Sequence, residues 1–136
     1  MPKKILFVED DNAFYNVCSI SLKLKNYSVL QVADGQLALD RIKEEKPDLV
    51  LLDIMLPNKN GLDVLRDLKS DDETKGIRVV MLTNFGSDEN VSRALELGAE
   101  DYIMKYNIVP SDLADKVAFL LEGTPKSAGP GSEPTS

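Results

Sequence analysis

The sequence predicts an α/β fold: one doubly wound, five-stranded parallel sheet with five helices packed on its two faces. Two observations carry this. Leu49-Val50-Leu51-Leu52 is a run of four aliphatic residues, too many for a strand with one wet face and suited to a parallel strand buried on both sides. Around it, short apolar runs alternate along the chain with stretches of helical periodicity, and right-handed crossovers between parallel strands leave few topologies.

The elements follow in order. Lys4 to Val8 is the first strand, ending in Glu9, Asp10 and Asp11. A helix runs from about Asn12 to Lys25, with Phe14, Val17, Cys18, Ser21 and Leu24 on its inner face, and Asn26 closes it. Tyr27 to Val32 is the second strand. Asp34 caps a second helix carrying Leu37, Ala38, Arg41 and Ile42, which Pro47 ends. The third strand is the Leu49 run, stopping at Asp53; Pro57 and Gly61 make the following loop. Gly61 opens a helix with Leu62, Leu65 and Leu68 inward, and Asp71-Asp72-Glu73 is a solvated connection. Ile77 to Leu82 is the fourth strand, ending at Thr83. After the loop Asn84-Phe85-Gly86, Ser87 or Asp88 caps a helix bearing Val91, Ala94 and Leu95, with Gly98 as its stop. Asp101 to Met104 is the fifth strand, ending at Lys105. Pro110 starts a last helix, with Leu113, Val117 and Leu120 or Leu121 inward. Residues 1–122 make one domain. Residues 123–136, rich in Gly, Pro, Ser and Thr, read as a disordered tail or the stump of a linker.

Composition narrows the function. A 136-residue chain buries roughly two-thirds of its unfolded surface and folds without disulfide or structural metal. Its one cysteine, Cys18, reads as a buried thiol, in keeping with a cytoplasmic location. No apolar stretch approaches the ~18 residues of a membrane span, and a strand begins too early for a signal peptide. The net charge of −7 argues against direct nucleic-acid binding. The chain has no histidine, so no mechanism can draw on an imidazole of its own.

The residues at the strand ends are Glu9, Asp10, Asp53, Thr83 and Lys105, and parallel strands put all of them on one sheet edge, where open α/β sheets bind ligands. Acids gathered there repel one another, and a divalent cation relieves the repulsion. Oxygen ligands with room for water suit Mg²⁺. A carboxylate left facing outward can act as a nucleophile, and a lysine and a hydroxyl can hold the oxygens of an incoming phosphoryl group.

Taken together, Ile5-Leu6-Phe7-Val8-Glu9-Asp10, Asp53-Ile54-Met55-Leu56-Pro57 with Gly61, Met81-Leu82-Thr83, and Gly98-Ala99-Glu100-Asp101-Tyr102 with Lys105 resemble the receiver domains of two-component response regulators, from Lys3 to about Leu121. The resemblance implies a flavodoxin-like strand order of 2-1-3-4-5 and a phosphoacceptor switch, not an enzyme with a separate substrate. It implies that Asp53 accepts a phosphoryl group from a histidine kinase or a histidine phosphotransfer protein. Asp10 would ligate Mg²⁺ directly and Glu9 through water, with Asp53 and the backbone carbonyl of Met55 completing the protein ligands. Thr83 and Lys105 would contact the acyl phosphate, and Tyr102 would change rotamer with Thr83. The output would pass through the face of the fourth helix, fifth strand and fifth helix to a partner protein or a C-terminal effector domain, in a monomer or a phosphorylation-dependent dimer. Asp11 is an acid the pattern does not require.

This sequence departs from the family pattern in places. Tyr106 follows the lysine where a proline is usual; a non-proline cis bond costs ~3 kcal/mol more than trans, so the sequence leaves cis or trans open, and a trans bond would shift Lys105 or its loop. Asn84 stands where a small residue is usual, narrowing access to the phosphate. Three rival readings are set aside. A haloacid-dehalogenase-type phosphohydrolase carries a second acid two residues after its nucleophile, and Met55 occupies that place. A flavin protein would need a hydroxyl-rich loop where Glu9-Asp10-Asp11 would repel phosphate. A degenerate, phosphate-free docking receiver would not keep the whole acid, threonine and lysine set.

Overall fold

The computed structural model describes residues 2–84 and 88–123. Strands β1 (Lys4–Val8), β2 (Ser28–Val32), β3 (Leu49–Asp53), β4 (Arg78–Thr83) and β5 (Asp101–Met104) alternate with helices α1 (Asn12–Leu24), α2 (Gly35–Glu45), α3 (Gly61–Ser70), α4 (Asp88–Glu96) and α5 (Pro110–Glu122). The strands form one sheet in the order β2-β1-β3-β4-β5, and every neighbouring pair is parallel. The parallel direction is the one the sequence pattern predicts, and the order is the one the family resemblance implied.

The central strand is buried along its whole length. Alternate residues feed two cores. Leu49 and Leu51 join Ile5, Phe7, Val80 and Leu82 against α1 and α5, while Val50 and Leu52 join Leu6, Val8, Val79 and Met81 against α2, α3 and α4. Each such fully buried aliphatic side chain contributes about 1.5–3 kcal/mol relative to exposure. Cys18 is buried in the first core, and burial pushes the thiol up to about 11; it is the buried thiol expected. The Tyr27 hydroxyl donates to Glu122 at 2.6 Å, fastening the last turn of α5 to the entry of β2.

Some local expectations need correcting. On α1, Val17 and Leu24 are not inward: they are 48% and 79% exposed, and Cys18, Ser19 and Leu22 are the buried residues. Phe14 and Tyr15 lead that face because their rings meet Phe7 of β1 edge-on, with centroids 6.0 and 5.4 Å away. On α4, Ala94 is buried but Leu95 is 46% exposed. β2 begins at Ser28 rather than Tyr27, and β4 at Arg78 rather than Ile77. The expected cap Ser87, the loop residues Phe85 and Gly86, and residues 124–136 lie outside the described residues.

Two close approaches set the loop that follows β3. The amide of Gly61 donates to the carbonyl of Ile54 at 2.8 Å, and a Cβ at Gly61 would collide with the backbone carbonyl of Asp53. The amide of Gly35 donates to the carbonyl of Pro57, and a Cβ there would collide with the carbonyl of Lys59. The Asn58 side chain adds a 2.7 Å bond to Asp34, and the Asn60 side chain caps α3. The backbone from Asp53 to Gly61 is thereby folded tightly against the sheet end and α2.

Gly61→Ala should therefore destabilise the protein by about 1–3 kcal/mol, the usual cost of overpacking, although alanine has the better helix propensity. Urea denaturation checks this; an unchanged midpoint would mean that the loop gives way freely.

Candidate phosphoryl-acceptor and metal site

Because the five strands are parallel, their carboxyl ends share one edge, and the polar residues of the sequence analysis collect there. Glu9 follows β1, and its amide continues the ladder to the Val32 carbonyl at 2.9 Å. Asp53 is the last residue of β3 and Thr83 the last of β4. Lys105 comes just after β5, opening a single 3-10 turn, Lys105–Asn107. Glu9, Asp53, Thr83 and Lys105 are all buried, at 0, 2, 4 and 8% exposure, whereas Asp10 is exposed.

Lys105 joins the buried acids. Its Nζ donates to Glu9 Oε2 at 3.0 Å and to Asp53 Oδ2 at 3.3 Å. It also lies 2.9 Å from Glu9 Oε1, but the geometry there does not suit a hydrogen bond, and this buried oxygen has no hydrogen-bond partner among the described residues. Asp53 Oδ1 accepts the amide of Met55 at 3.3 Å. The Lys105–Tyr106 bond is trans, as no described peptide bond is cis. The expected displacement of Lys105 does not keep it from the acids: it reaches both.

Two carboxylates share one ammonium in a buried space, so the acids resist ionising together. Burial is the main cause that pushes Glu9 up to about 7; the nearby charge of Asp53 adds to it, and Lys105 opposes it. Burial likewise raises Asp53 above its usual range, against the pull of Lys105. For Lys105, burial disfavours the charge, but its bonds to Glu9 and the charges of both acids outweigh it and raise its pKa.

Oxygen atoms of Glu9, Asp10 and Asp53 lie within 4.8 Å of one another. An all-oxygen donor set, an excess of negative charge and a buried Glu9 oxygen lacking a donor fit a hard divalent cation. Beside them a cavity opens, lined by Asp10, Ile54, Met55, Leu56, Pro57 and Asn60. The Met55 side chain is 60% exposed at this mouth, and Tyr102 on β5 is 37% exposed. Just after Thr83, the buried Asn84 Oδ1 has no hydrogen-bond partner among the described residues.

Two contributors escape sequence reasoning. Phe14, which helical spacing assigns only to the core, has its ring under the Lys105 ammonium, 4.9 Å from centroid to Nζ. Asp11 caps α1 by accepting the Phe14 amide, and its own amide donates to Glu9 Oε2 at 3.0 Å. The capping part is a recognisable N-terminal signal; the pairing of residues 14 and 105 has none.

Comparison with known proteins places the chain in a family. Residues 5–118 match the family model described as response regulator receiver domain. The DNA-binding response regulator MtrA of Mycolicibacterium paratuberculosis is 41% identical over 121 residues, 89% of this chain and 52% of MtrA. The chain spans about half the length of the curated relatives it matches first. Among solved structures, the BeF3-activated N-terminal receiver domain of Klebsiella pneumoniae RstA superposes with a TM-score of 0.79 at 39% identity, covering 88% of this chain and 99% of that one. The Mn²⁺-bound form of the response regulator Rcp1 gives 0.79 at 30% identity, over 89% and 96% of the two chains.

The raised Glu9 gives a signed pH dependence. Between its ordinary 4.5 and about 7, the folded protein holds a proton that the unfolded chain has released. The associated stability is fully present below 4.5 and is lost as pH rises through about 7; the raised Asp53 acts with the same sign. With divalent cations chelated, folding stability should fall by on the order of 2–3 kcal/mol across that window. Urea titrations at several pH values read this, and Glu9→Gln should flatten most of the slope.

Proposed function

The chain belongs to the response regulator receiver family, and on that premise we propose that it is a Mg²⁺-dependent switch that takes a phosphoryl group on Asp53. The observation that carries the reading is the convergence of one lysine and two further acids on a single buried carboxylate at the open sheet edge. The chain has no histidine, so the phosphohistidine donor belongs to a partner, a histidine kinase or phosphotransfer protein. A carboxylate oxygen of Asp53 forms the new P–O bond as the P–N bond breaks; the imidazole nitrogen keeps the electron pair and takes up a proton.

Asp10, Asp53 and the backbone carbonyl of Met55 would hold the cation, with Glu9 acting through water. The cation, when bound, neutralises charge on the phosphoryl oxygens. Rcp1 is described in an Mn²⁺-bound form, in line with such a site. Lys105 stands where it can meet a phosphoryl oxygen, and its charge is secured by the two acids. Thr83 closes β4 beside it and would donate its hydroxyl to the phosphate. Tyr102, partly exposed on the next strand, would follow Thr83 and alter the face formed by α4, β5 and α5, the local-bond, two-state readout of a phosphorylation switch.

We place the switch in residues 1–122 and give residues 123–136 the part of a tether, for which their composition suits them. The output goes either to a separate partner or to an effector domain like those that the names of longer, DNA-binding relatives imply. Apart from its own phosphorylation and dephosphorylation, this unit turns over no substrate. We place it in the cytoplasm; among the described residues no helix is long and apolar enough to cross a membrane.

Acetyl phosphate with Mg²⁺ should add one phosphoryl group to the parent and none to Asp53→Ala, read by intact mass. An adduct of equal yield on the variant would overturn the assignment, and a parent that takes none would leave the docking-module reading standing.

The metal roles separate by burial, since Asp10 is exposed while Glu9 is enclosed and bonded to Lys105. Asp10→Asn should weaken Mg²⁺ binding by roughly tenfold or more, and Glu9→Gln by less, in a calorimetric titration. Parent-like affinity in Asp10→Asn would remove that residue from the cation.

A further inference from the structure

A lysine that must meet a phosphoryl oxygen needs its head group fixed, yet its four-carbon stem is flexible. Lys105 is followed by Tyr106 rather than proline, so the following residue does not restrict the backbone there. Its ammonium touches Glu9, Asp53 and the ring of Phe14. The two acids are the groups whose charge a cation or a phosphoryl group would consume. The ring neither titrates nor ligates, so its attraction for the ammonium is the same before and after transfer.

We propose that Phe14 is a positioning residue for Lys105: its ring face is a fixed platform that holds the ammonium over Asp53 during phosphoryl transfer, a role that rests on the phosphoacceptor reading above.

The ring is held from several sides. Phe7, fully buried on β1 two residues before Glu9, meets it edge-on at 6.0 Å and 82°. The Phe14 backbone amide donates to Asp11 Oδ1 at 3.1 Å, and the Asp11 amide donates to Glu9 Oε2. The contacts close a ring: Glu9 to Asp11, Asp11 to Phe14, Phe14 to Lys105, and Lys105 back to Glu9. Asp11, not needed by the motif, is the joint that ties the platform to the acid. A buried ammonium is where a cation–π contact is strongest, because little water competes for the charge.

Plain packing is the alternative, as Phe14 also lies against the apolar cluster under α1 and α5. The two accounts differ for a side chain that keeps bulk without a π face. Phe14→Leu and Phe14→Tyr are each made in the parent and in Lys105→Met, and Asp53 phosphorylation by acetyl phosphate is timed at saturating Mg²⁺. In the parent background, leucine should slow the reaction roughly fivefold while tyrosine restores it. In Lys105→Met, leucine should change nothing further. The Lys105 ε-methylene protons, followed by NMR, should show a ring-current shift in parent and Phe14→Tyr that Phe14→Leu loses. Should the leucine variant not fold, Phe14→Met replaces it. A parent-like rate in Phe14→Leu, an equal loss in the Lys105→Met background, or a folded Phe14→Tyr as slow as leucine would each overturn the proposal. A parent that forms no adduct overturns the phosphoacceptor reading instead, and the ε-methylene shift then decides the placement of Lys105 by itself.

Discussion

One ammonium stands between two buried carboxylates, and most of the molecule is arranged to make that tolerable. Glu9 and Asp53 are almost without solvent, so their mutual repulsion is poorly screened. Lys105 bonds to both and leaves one negative charge over. A buried charge that is only partly paired is costly. Here the cost is met by raising the proton affinity of both acids, and a divalent cation or a proton can remove it. The same imbalance that weakens the fold at neutral pH suits the site to positive charge.

The sheet makes this arrangement possible without spending its interior on polar groups. Strands β1, β3 and β4 are apolar and buried through their middles, with Lys4 and Arg78 at the amino ends of β1 and β4, and the polar residues of the site lie at or just after their carboxyl ends. Their backbone groups are paired in the parallel ladder, so only side chains at the ends need partners. Residues far apart in the chain, Glu9, Asp53, Thr83 and Lys105, thus reach one edge by register rather than by long loops. The Gly61 and Gly35 approaches then close the loop after Asp53 to a depth that any side chain would prevent. The position of Met55, and with it the mouth of the cavity, follows from those two backbone contacts.

The fold class was legible because its signal is repeated and local, whereas the strand order came from the family resemblance. Each strand is a short apolar run, each helix has its period, and chirality restricts the connections. The strand-end residues were legible for the same reason, since a strand end is a position in the sequence. What depends on a choice between equivalent local patterns was not legible. Helix α1 carries two apolar stripes, Phe14–Cys18–Leu22 and Val17–Ile20–Leu24, and helical spacing serves both. Phe7 on the strand beneath and α5 alongside select the first, leaving the second exposed. The contact between Phe14 and Lys105 was out of reach for a related reason: it joins the first and last quarters of the ordered chain through two side chains, and neither local neighbourhood reports it.

The residue after Lys105 shows how a departure from a family pattern can be absorbed. A proline there would restrict the backbone; Tyr106 leaves it free to enter the 3-10 turn with a trans peptide bond. The head group nevertheless arrives at Asp53, because four side-chain torsions separate it from the backbone and its electrostatic partners outweigh any moderate change in where the stem begins. Glu9 and Asp53 supply the strongest part of that attraction, and the aromatic face of Phe14 supplies a part independent of their ionisation. Placement of the lysine is therefore a property of what surrounds its ammonium more than of the residue that follows it. The same logic applies to any motif residue on a long flexible stem: its identity is written in the motif, but its position is written in its partners.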